Sequence, residues 1–245
     1  MDFQIIGYEE IDSTNSEAWR LIDRLKIGRL GTASANVVVI AKRQTKGRGQ
    51  RGHQWQSDLG GLFMSVILQP NPELAAANAH QITLWSAWGI AKKLNETGAN
   101  VKLKWLNDLL IDRRKLGGIL TETRIEANKI RYAVVGIGLN WTNIVPNGAI
   151  TLGELPTTLS SMDELIEVVL SGVALGQTRS QNEGIADILA EYLEMLSDRT
   201  VRQTVHGQEL QGQIVDIRPT GELVVRWEGS SSNVIYQPQI FSVGY

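Results

Sequence analysis

The feature that most restricts the fold is a glycine-rich stretch at residues 44–55, QTKGRGQRGHQW. Its glycines match the pattern G-x-G-x-x-G, which marks a dinucleotide-binding fold only when a strand precedes it and a helix opens directly after it. The apolar residues 37–41 predict that strand, but residues 53–61, HQWQSDLGG, have no helical period. The sequence therefore excludes the strand–loop–helix unit of dinucleotide-binding folds at this point.

The same stretch has the composition of a loop that binds an anion. Five of the ten residues from 42 to 51 are basic. Arginine offers planar donors matched to phosphate or carboxylate, and glycine lets the backbone approach a ligand closely. A solvated surface turn is the alternative, because loops collect such residues. The P-loop pattern and the kinase motifs are absent, so we interpret residues 44–55 as an anion-binding loop of another type. Its basic residues and glycines, with the two that precede it, are Lys42, Arg43, Lys46, Arg48, Arg51, Gly47, Gly49 and Gly52.

Composition limits the classes of function. The 245 residues are 42% hydrophobic and 20% charged, which is ordinary for one sizeable core with room for a small second domain. A net charge of −2 argues against a general nucleic-acid binder. The chain has no cysteine and three histidines far apart, so no disulfide, thiol nucleophile or metal site is predicted. Without a signal peptide or a membrane-length apolar run, a cytoplasmic location without membrane contact is expected.

The first elements place polar residues at a helix start. Residues 3–11 predict a strand, and Thr14 with Glu17 fits a capping box at the start of a helix that Gly28 would end. Ser13, Thr14 and Asn15 therefore have a structural explanation as a cap. A helix start can also bind polar or anionic ligand atoms, so both interpretations stay open.

The rest of the chain predicts an α+β fold in which a mixed, largely antiparallel sheet is flanked by helices. The predicted elements are a strand at 61–69, a helix at 72–95, strands at 101–105, 109–111, 116–124 and 130–140, and helices at 162–173 and 184–196. From residue 199 short strands predict a small β-barrel or sandwich. The expected domains are residues 1–196 and 197–245.

Lysines and glycines recur within the central strands. Glycine inside a strand marks either the close approach of a ligand or a β-bulge, and both remain open here. The residues are Lys104, Lys115, Gly117, Gly118, Gly136 and Gly138.

Five motifs, in order, resemble those of biotin protein ligases. They are STN at 13–15, GRGQRGHQW at 47–55, KWLNDL at 104–109, RKLGGIL at 114–120 and GIGLN at 136–140. The resemblance implies a class II synthetase-like catalytic domain that binds biotin and ATP, followed by an SH3-like β-barrel. Only twelve residues precede Ser13, so the form without an N-terminal DNA-binding domain is expected, with no DNA partner.

The resemblance also implies the chemistry. Biotin and Mg²⁺-ATP would form biotinyl-5'-AMP, and a lysine of the biotin carboxyl carrier protein of acetyl-CoA carboxylase would then take the biotinyl group. Lys115 and Arg48 would be catalytic. Biotin would contact Ser13, Thr14, Asn15, Gln44, Arg48, Gly49, Gln50, Lys115, Gly117, Gly118, Gly136 and Gly138. ATP would contact Arg48, Arg51, Trp55, Asn107, Asp108, Lys115 and Asn140. The sequence leaves the oligomeric state open, with a homodimer as one option.

Within these motifs the chain departs from the family at three positions, and the Gly-Glu that is usual near the family's C-terminus is not evident in residues 237–245. Leu106 stands where the family has proline, and Gln50 and His53 replace arginines of the loop. Two other functions remain as alternatives. One is a lipoate ligase or octanoyl transferase, which shares the fold, and the other is an RNA-binding module that uses the basic loop.

Overall fold

A seven-stranded sheet is the framework of the protein. The computed structural model describes residues 3–25, 36–69, 74–205 and 208–238. The strands are β1 Phe3–Ile11, β2 Asn36–Gln44, β3 Leu62–Leu68, β4 Lys102–Lys104, β5 Asp108–Ile111, β6 Arg114–Glu126 and β7 Lys129–Leu139. Their order is β1-β2-β3-β7-β6-β5-β4. Only β1 and β2 pair in parallel, and the other neighbours are antiparallel. This confirms the predicted mixed, largely antiparallel sheet.

Helices cover the two faces of the sheet unequally. They are α1 Thr14–Leu25, α2 His80–Glu96, α3 Met162–Asn182 and α4 Ala186–Glu194. Strand alternation in β3 sends Met64 and Val66 into the large core with α2, α3 and α4, whereas Ile67 packs with Ala18 and Ile22 of α1 in a smaller core. Because α1 is short, it leaves part of its face of the sheet uncovered.

Two helix predictions were wrong at one end. The predicted helix at 72–95 begins later, because the backbone of Leu74 and Ala76 hydrogen-bonds to the β6–β7 hairpin; Pro72 lies outside the described residues, as does the predicted helix end at Gly28. Helix α3 continues nine residues beyond 173, to Asn182. A Cβ on Gly176 would lie 2.2 Å from the carbonyl oxygen of Trp85 in α2. The backbones of α2 and α3 are in contact at this point. Hydrophobic periodicity cannot predict such a contact, because glycine has no side chain.

A second sheet follows α4. Its strands are β8 Thr200–Val205, β9 Gln208–Ile217, β10 Leu223–Trp227 and β11 Asn233–Tyr236, in the order β11-β10-β9-β8. All neighbouring pairs are antiparallel. This confirms a small antiparallel β unit at the C-terminal end, but within the described ranges no ladder joins β11 to β8, so the sheet is open and does not form a closed barrel. Side chains span the gap instead, since the Tyr236 hydroxyl lies 3.4 Å from Gln203 Oε1.

The second sheet is joined to the rest of the fold near the β4–β5 turn and α4. Trp105 Nε1 donates to the Gly221 carbonyl at 3.2 Å, and Ser197 N donates to the Leu103 carbonyl at 2.8 Å. Apolar residues of β9 and β10 belong to the same core as those beneath α2. The domain division at residue 197 stays a prediction. Within the described part of the chain, no helix has both the length and the apolar character needed to cross a membrane.

Candidate functional site

A cavity of about 360 Å³ opens on the face of the sheet that α1 leaves uncovered. The start of α1, the anion-binding loop, the β4–β5 turn and the site-facing residues of β6 and β7 surround it. Every residue that the resemblance assigns to biotin or ATP lines this cavity except Gly117 and Asn140. The structure therefore brings together motifs that are up to 125 residues apart in the sequence, from Ser13 to Gly138.

Ser13, and not Thr14, caps helix α1. The Ser16 amide points to Ser13 Oγ at 3.5 Å, and the Glu17 amide donates to the Ser13 carbonyl at 3.0 Å. The predicted capping box is wrong, because Glu17 turns away and accepts a hydrogen bond from Arg20 at 2.6 Å. The Thr14 side chain is thus free of a capping role and faces the cavity.

A polar cluster, formed by Ser13, Thr14, Asn15, Gln44 and Ser65, lies at the α1 end of the cavity. Gln44 Oε1 accepts from the Thr14 amide at 2.8 Å and from its hydroxyl at 3.2 Å. Ser65 Oγ lies 2.8 Å from Thr14 Oγ1 and 2.6 Å from Asn15 Oδ1. Ser13, Thr14, Asn15 and Ser65 are almost fully buried. This end of the cavity can hold a neutral polar group, because it offers fixed hydroxyl and amide groups and no formal charge.

Two glycines of β7 make room for side chains of the site. A Cβ on Gly136 would lie 2.2 Å from Asn15 Oδ1, and one on Gly138 would lie 2.7 Å from the Trp55 ring. The β6–β7 ladder is regular at both positions, so a bulge does not explain them. The bulge interpretation applies to Gly117 instead, which follows a register shift in the β5–β6 pairing and faces Leu139 on the opposite side of β6.

Each cation that the resemblance calls catalytic is held by a carboxylate. Arg48 forms a two-pronged ion pair with Glu122, with Nη2–Oε1 at 2.6 Å and Nη1–Oε2 at 3.2 Å. Lys115 Nζ lies 2.8 Å from Asp108 Oδ1 and 5.3 Å from the centroid of the Trp55 ring. Both cations are close to half exposed, so an anion in the cavity can reach them.

Asn140 holds the backbone of Lys115. Asn140 Nδ2 donates to the carbonyls of Lys115 and Ile150, each at 3.2 Å, and the side chain is buried. Asn107 lines the cavity, but its amide donates to the Ile119 carbonyl at 3.0 Å. Both asparagines therefore fix the backbone from which the cavity is built.

The anion-binding loop closes on itself over the cavity. Trp55 N donates to the Gly47 carbonyl at 3.0 Å, and Gly49 N donates to the His53 carbonyl at 2.7 Å. A single 3₁₀ turn at Gln50–Gly52 forms its tip, and no α-helix follows before β3. Arg51 Nη2 donates to the Pro238 carbonyl at 3.2 Å. The segment that follows β11 therefore contributes Pro238, the last described residue, to the cavity wall.

Sequence reasoning missed two contributors to the site, Ser65 and Glu122, and gave a third, Lys104, no role. Lys104 lines the cavity half-buried; burial lowers the pKa of its ammonium group, and Lys115 lowers it further against the opposing effect of Asp108. Ser65 and Glu122 lie in no motif, and only the strand register reveals which way they face. The turn at Leu106, where the family has proline, is held by a 3.0 Å hydrogen bond from the Tyr192 hydroxyl to the Leu106 carbonyl.

The acidic side chains at the cavity do not form a metal cage. Across the described residues, no three His, Cys, Asp or Glu side chains are grouped as a metal site would require. Asp108 and Glu122 are the carboxylates at the site, and each already accepts from a cation. A magnesium ion would fit here only with most of its ligands supplied by a substrate, which is how that ion commonly binds with nucleotides.

Comparison with known proteins places the chain in a family. The model of the biotin/lipoate A/B protein ligase family matches residues 9–140 of the 245-residue chain. The chain belongs to this family. The matched region contains α1, the anion-binding loop and all strands from β2 to β7, which are the elements that form the cavity. The family includes ligases for both biotin and lipoate, so membership alone does not choose the acid.

Two individual relatives match different shares of the chain. The bifunctional ligase/repressor BirA of Bacillus subtilis is 34% identical over 149 residues, which are 60% of this chain and 43% of that protein. This chain thus spans less than half the length of that relative. The biotin–[acetyl-CoA-carboxylase] ligase of Paracoccus denitrificans is 29% identical over 230 residues, 88% of this chain and 91% of that protein.

A solved structure shares the fold over nearly the whole chain. It is the biotin protein ligase from Aquifex aeolicus in complex with biotin and ATP, with a TM-score of 0.69 and 23% sequence identity. The match covers 96% of this chain and 99% of that one. At this identity the likeness establishes the fold, including the second sheet that follows α4.

Proposed function

We propose that this member of the family is a biotin protein ligase. It would join biotin to ATP to give biotinyl-5'-AMP and pyrophosphate, and then transfer the biotinyl group to a lysine of a carrier domain. The observation that carries the proposal is that one cavity combines an uncharged polar cluster with a set of cations. Biotin has the same two parts, a neutral polar ring and a carboxylate.

The polar cluster is the proposed site for the ureido ring. Ser13, Thr14, Asn15 and Gln44 lie on rigid elements, and Ser57 holds Gln44 in place through a 2.8 Å hydrogen bond. A ring bound there would meet hydroxyl and amide groups whose orientations are already fixed. Preorganised groups of this kind give selectivity, because an acid without matching polar atoms would leave buried partners unpaired.

The cations are proposed to bring two anions together. In the first step a carboxylate oxygen attacks the α-phosphorus, and the bond to pyrophosphate breaks. Lys115 and Arg48 would reduce the repulsion between the carboxylate and the phosphate, while Lys104 adds a third positive charge to the same wall. Electrostatic stabilisation by positioned charges is the largest contribution that such a site can make.

ATP is proposed to lie beside the loop. Arg51 would contact its phosphates, and Trp55 packs beneath the loop on Gly138. Mg²⁺ would arrive bound to the phosphates and neutralise part of their charge, with Asp108 as the protein carboxylate within the cavity. In the second step the carrier lysine attacks the acyl carbon and AMP leaves. The expected cytoplasmic location stays a prediction, and the homodimer stays open.

Lipoate ligation is the second candidate, since the family includes it. The cations alone would serve either acid, because both carry a carboxylate. The polar cluster favours biotin, since the dithiolane ring of lipoate has no groups to match buried hydroxyls and amides. The biotin–[acetyl-CoA-carboxylase] ligase of Paracoccus denitrificans supports the same choice.

A transfer assay tests the proposal. The purified chain, Mg²⁺-ATP and one acid are mixed with either a biotin carboxyl carrier domain or a lipoyl domain, and modification is read by intact-mass spectrometry. We expect biotin on the carrier domain, and none when the acceptor lysine is changed to arginine. Lipoylation of the lipoyl domain without biotinylation of the carrier domain would overturn the proposal.

A further inference from the structure

Glu122 joins three separate parts of the site through one carboxylate. Its Oε1 accepts from Arg48 Nη2 at 2.6 Å, and its Oε2 accepts from Arg48 Nη1 at 3.2 Å. The same Oε2 accepts from Asn15 Nδ2 at 2.9 Å and from Trp19 Nε1 at 3.3 Å. These donors come from the anion-binding loop and from helix α1, whereas Glu122 lies on β6. No other described carboxylate at the cavity contacts both of those elements.

Glu122 makes the shorter of two contacts that orient the Asn15 amide. Asn15 Nδ2 donates to Glu122 Oε2 at 2.9 Å and to the Leu120 carbonyl at 3.4 Å, so the Asn15 oxygen faces Ser65 Oγ, 2.6 Å away. Ser65 in turn lies 2.8 Å from Thr14 Oγ1. A continuous path of hydrogen bonds therefore runs from Glu122 through the polar cluster. An asparagine held at both ends cannot rotate without breaking one of these contacts.

The contacts of Glu122 also decide where Arg48 points. Arg48 is on the loop, where two of its neighbours are glycines, so its own backbone restricts it little. A guanidinium has five N–H donors in a plane, and Glu122 uses only two of them. The remaining donors stay available to an anion in the cavity. An ion pair this exposed contributes little to folding, so its main effect is on geometry.

We propose that Glu122 is a positioning residue for the ligase reaction, which holds Arg48 over the cavity and orients Asn15 in the polar cluster. The proposal rests on the proposed function for its kinetic consequence. Glu122 would then couple the part of the site that is proposed to bind the ureido ring to the part that is proposed to bind the carboxylate and the phosphate. Glu122 touches neither substrate and moves no proton.

The test compares Glu122→Gln with Glu126→Gln in the intact chain. Glutamine keeps the shape and one acceptor oxygen but removes the charge that holds Arg48. Glu126 lies on the same strand, at the exposed end away from the cavity. We expect Glu122→Gln to lower kcat for biotin-dependent ATP–pyrophosphate exchange about 10- to 100-fold, because small misplacements of a reacting group have effects of this size. The control should match the wild type in kcat and Tm.

Coupling through Arg48 gives a sharper criterion. The Arg48→Lys variant has already lost the two-pronged ion pair with Glu122. Adding Glu122→Gln to that variant should therefore lower kcat by less than threefold, so the effects of the two substitutions should not be additive. Fully additive losses, or an unchanged kcat in Glu122→Gln, would overturn the proposal. A loss of Tm without a selective loss of kcat would show a merely structural role and would overturn it too.

A second readout needs no substrate and separates this proposal from the proposed function. Trypsin cleavage after Arg48 in the free protein should be several times faster in Glu122→Gln than in Glu126→Gln, because the side chain is released. If the wild type shows no biotin-dependent exchange, the proposed function fails, and the cleavage rates still decide whether Glu122 holds Arg48. Equal cleavage rates in the two variants would overturn the positioning role.

Discussion

Gly136→Ala is the substitution whose effect the structure defines most closely. Gly136 lies on β7 opposite Leu120 in a regular ladder. An added Cβ would lie 2.2 Å from Asn15 Oδ1 and 2.9 Å from its Cγ. A methyl carbon and an oxygen need about 3.2 Å, so the Asn15 amide must move by about 1 Å. Asn15 is buried, and its movement disturbs the polar cluster directly.

The energetic cost follows from the hydrogen bonds that Asn15 makes. A shift of that size breaks or weakens the contacts at 2.6 Å to Ser65 and 2.9 Å to Glu122. Loss of buried hydrogen-bond partners should cost about 2–4 kcal/mol in total. Alanine in place of glycine within a strand returns about 0.5–1 kcal/mol. The free energy of unfolding should therefore fall by about 1–3.5 kcal/mol.

Denaturant unfolding and biotin titration calorimetry measure the two consequences. Gly7→Ala is the matched control, since Gly7 is also a strand glycine and no atom lies within 4 Å of its Cβ position. We expect Gly136→Ala to be less stable than wild type and to bind biotin at least about tenfold more weakly, a difference of about 1.4 kcal/mol. If Gly136→Ala matched Gly7→Ala in stability and in biotin affinity, the packing account of this glycine would be refuted.

Three further predictions concern charge and motion. Lys115→Ala should lower the rate of pyrophosphate exchange by about 10²–10³-fold while changing biotin affinity far less, and Lys104→Ala should have the smaller effect; the reverse order in exchange assays would mean that the wrong lysine is assigned to catalysis. Hydrogen bonding to Arg20 lowers the pKa of Asp12 from 3.8 to about 2, so the stability that this carboxylate adds is present above pH 4 and is lost as pH falls to 2. Asp12→Asn should therefore be less stable than wild type at pH 6 in urea titrations, and the difference should disappear between pH 4 and pH 2; a constant difference would contradict the linkage. Residues 46–51 should be cut by trypsin more slowly when biotin and Mg²⁺-ATP are bound, and equal rates with and without them would count against ordering of the loop.

Local sequence signals were sufficient for most of the fold. Alternation and turn residues correctly predicted strands β4 to β7, and the absence of a helical period after Gly52 correctly excluded a dinucleotide-binding unit. Errors arose where tertiary contacts override local preference. The alanine-rich start of the predicted helix at 72–95 hydrogen-bonds to the β6–β7 hairpin instead of forming a helix. Helix α3 is longer than predicted, because Gly176 packs against α2.

The candidate site shows the same limit. Motifs identified the residues whose chemistry is distinctive, such as Lys115 and Arg48, and the structure brings them to one cavity. Glu122 and Ser65 could not be found in this way, because their contribution depends on which face of a strand they occupy and on what lies across from it. Asn140 was expected at the ligand, yet it is used to hold the backbone of Lys115.

ATP–pyrophosphate exchange with three acids tests the central claim most directly. The chain is incubated with Mg²⁺-ATP and labelled pyrophosphate together with biotin, lipoate or octanoate, and label entering ATP is measured. Exchange requires that an acyl adenylate forms reversibly, so it reports the first step alone, without a carrier. We predict exchange that depends on biotin and is near background with the other two acids. Exchange with lipoate at a rate comparable to that with biotin, or no exchange with biotin, would contradict the account.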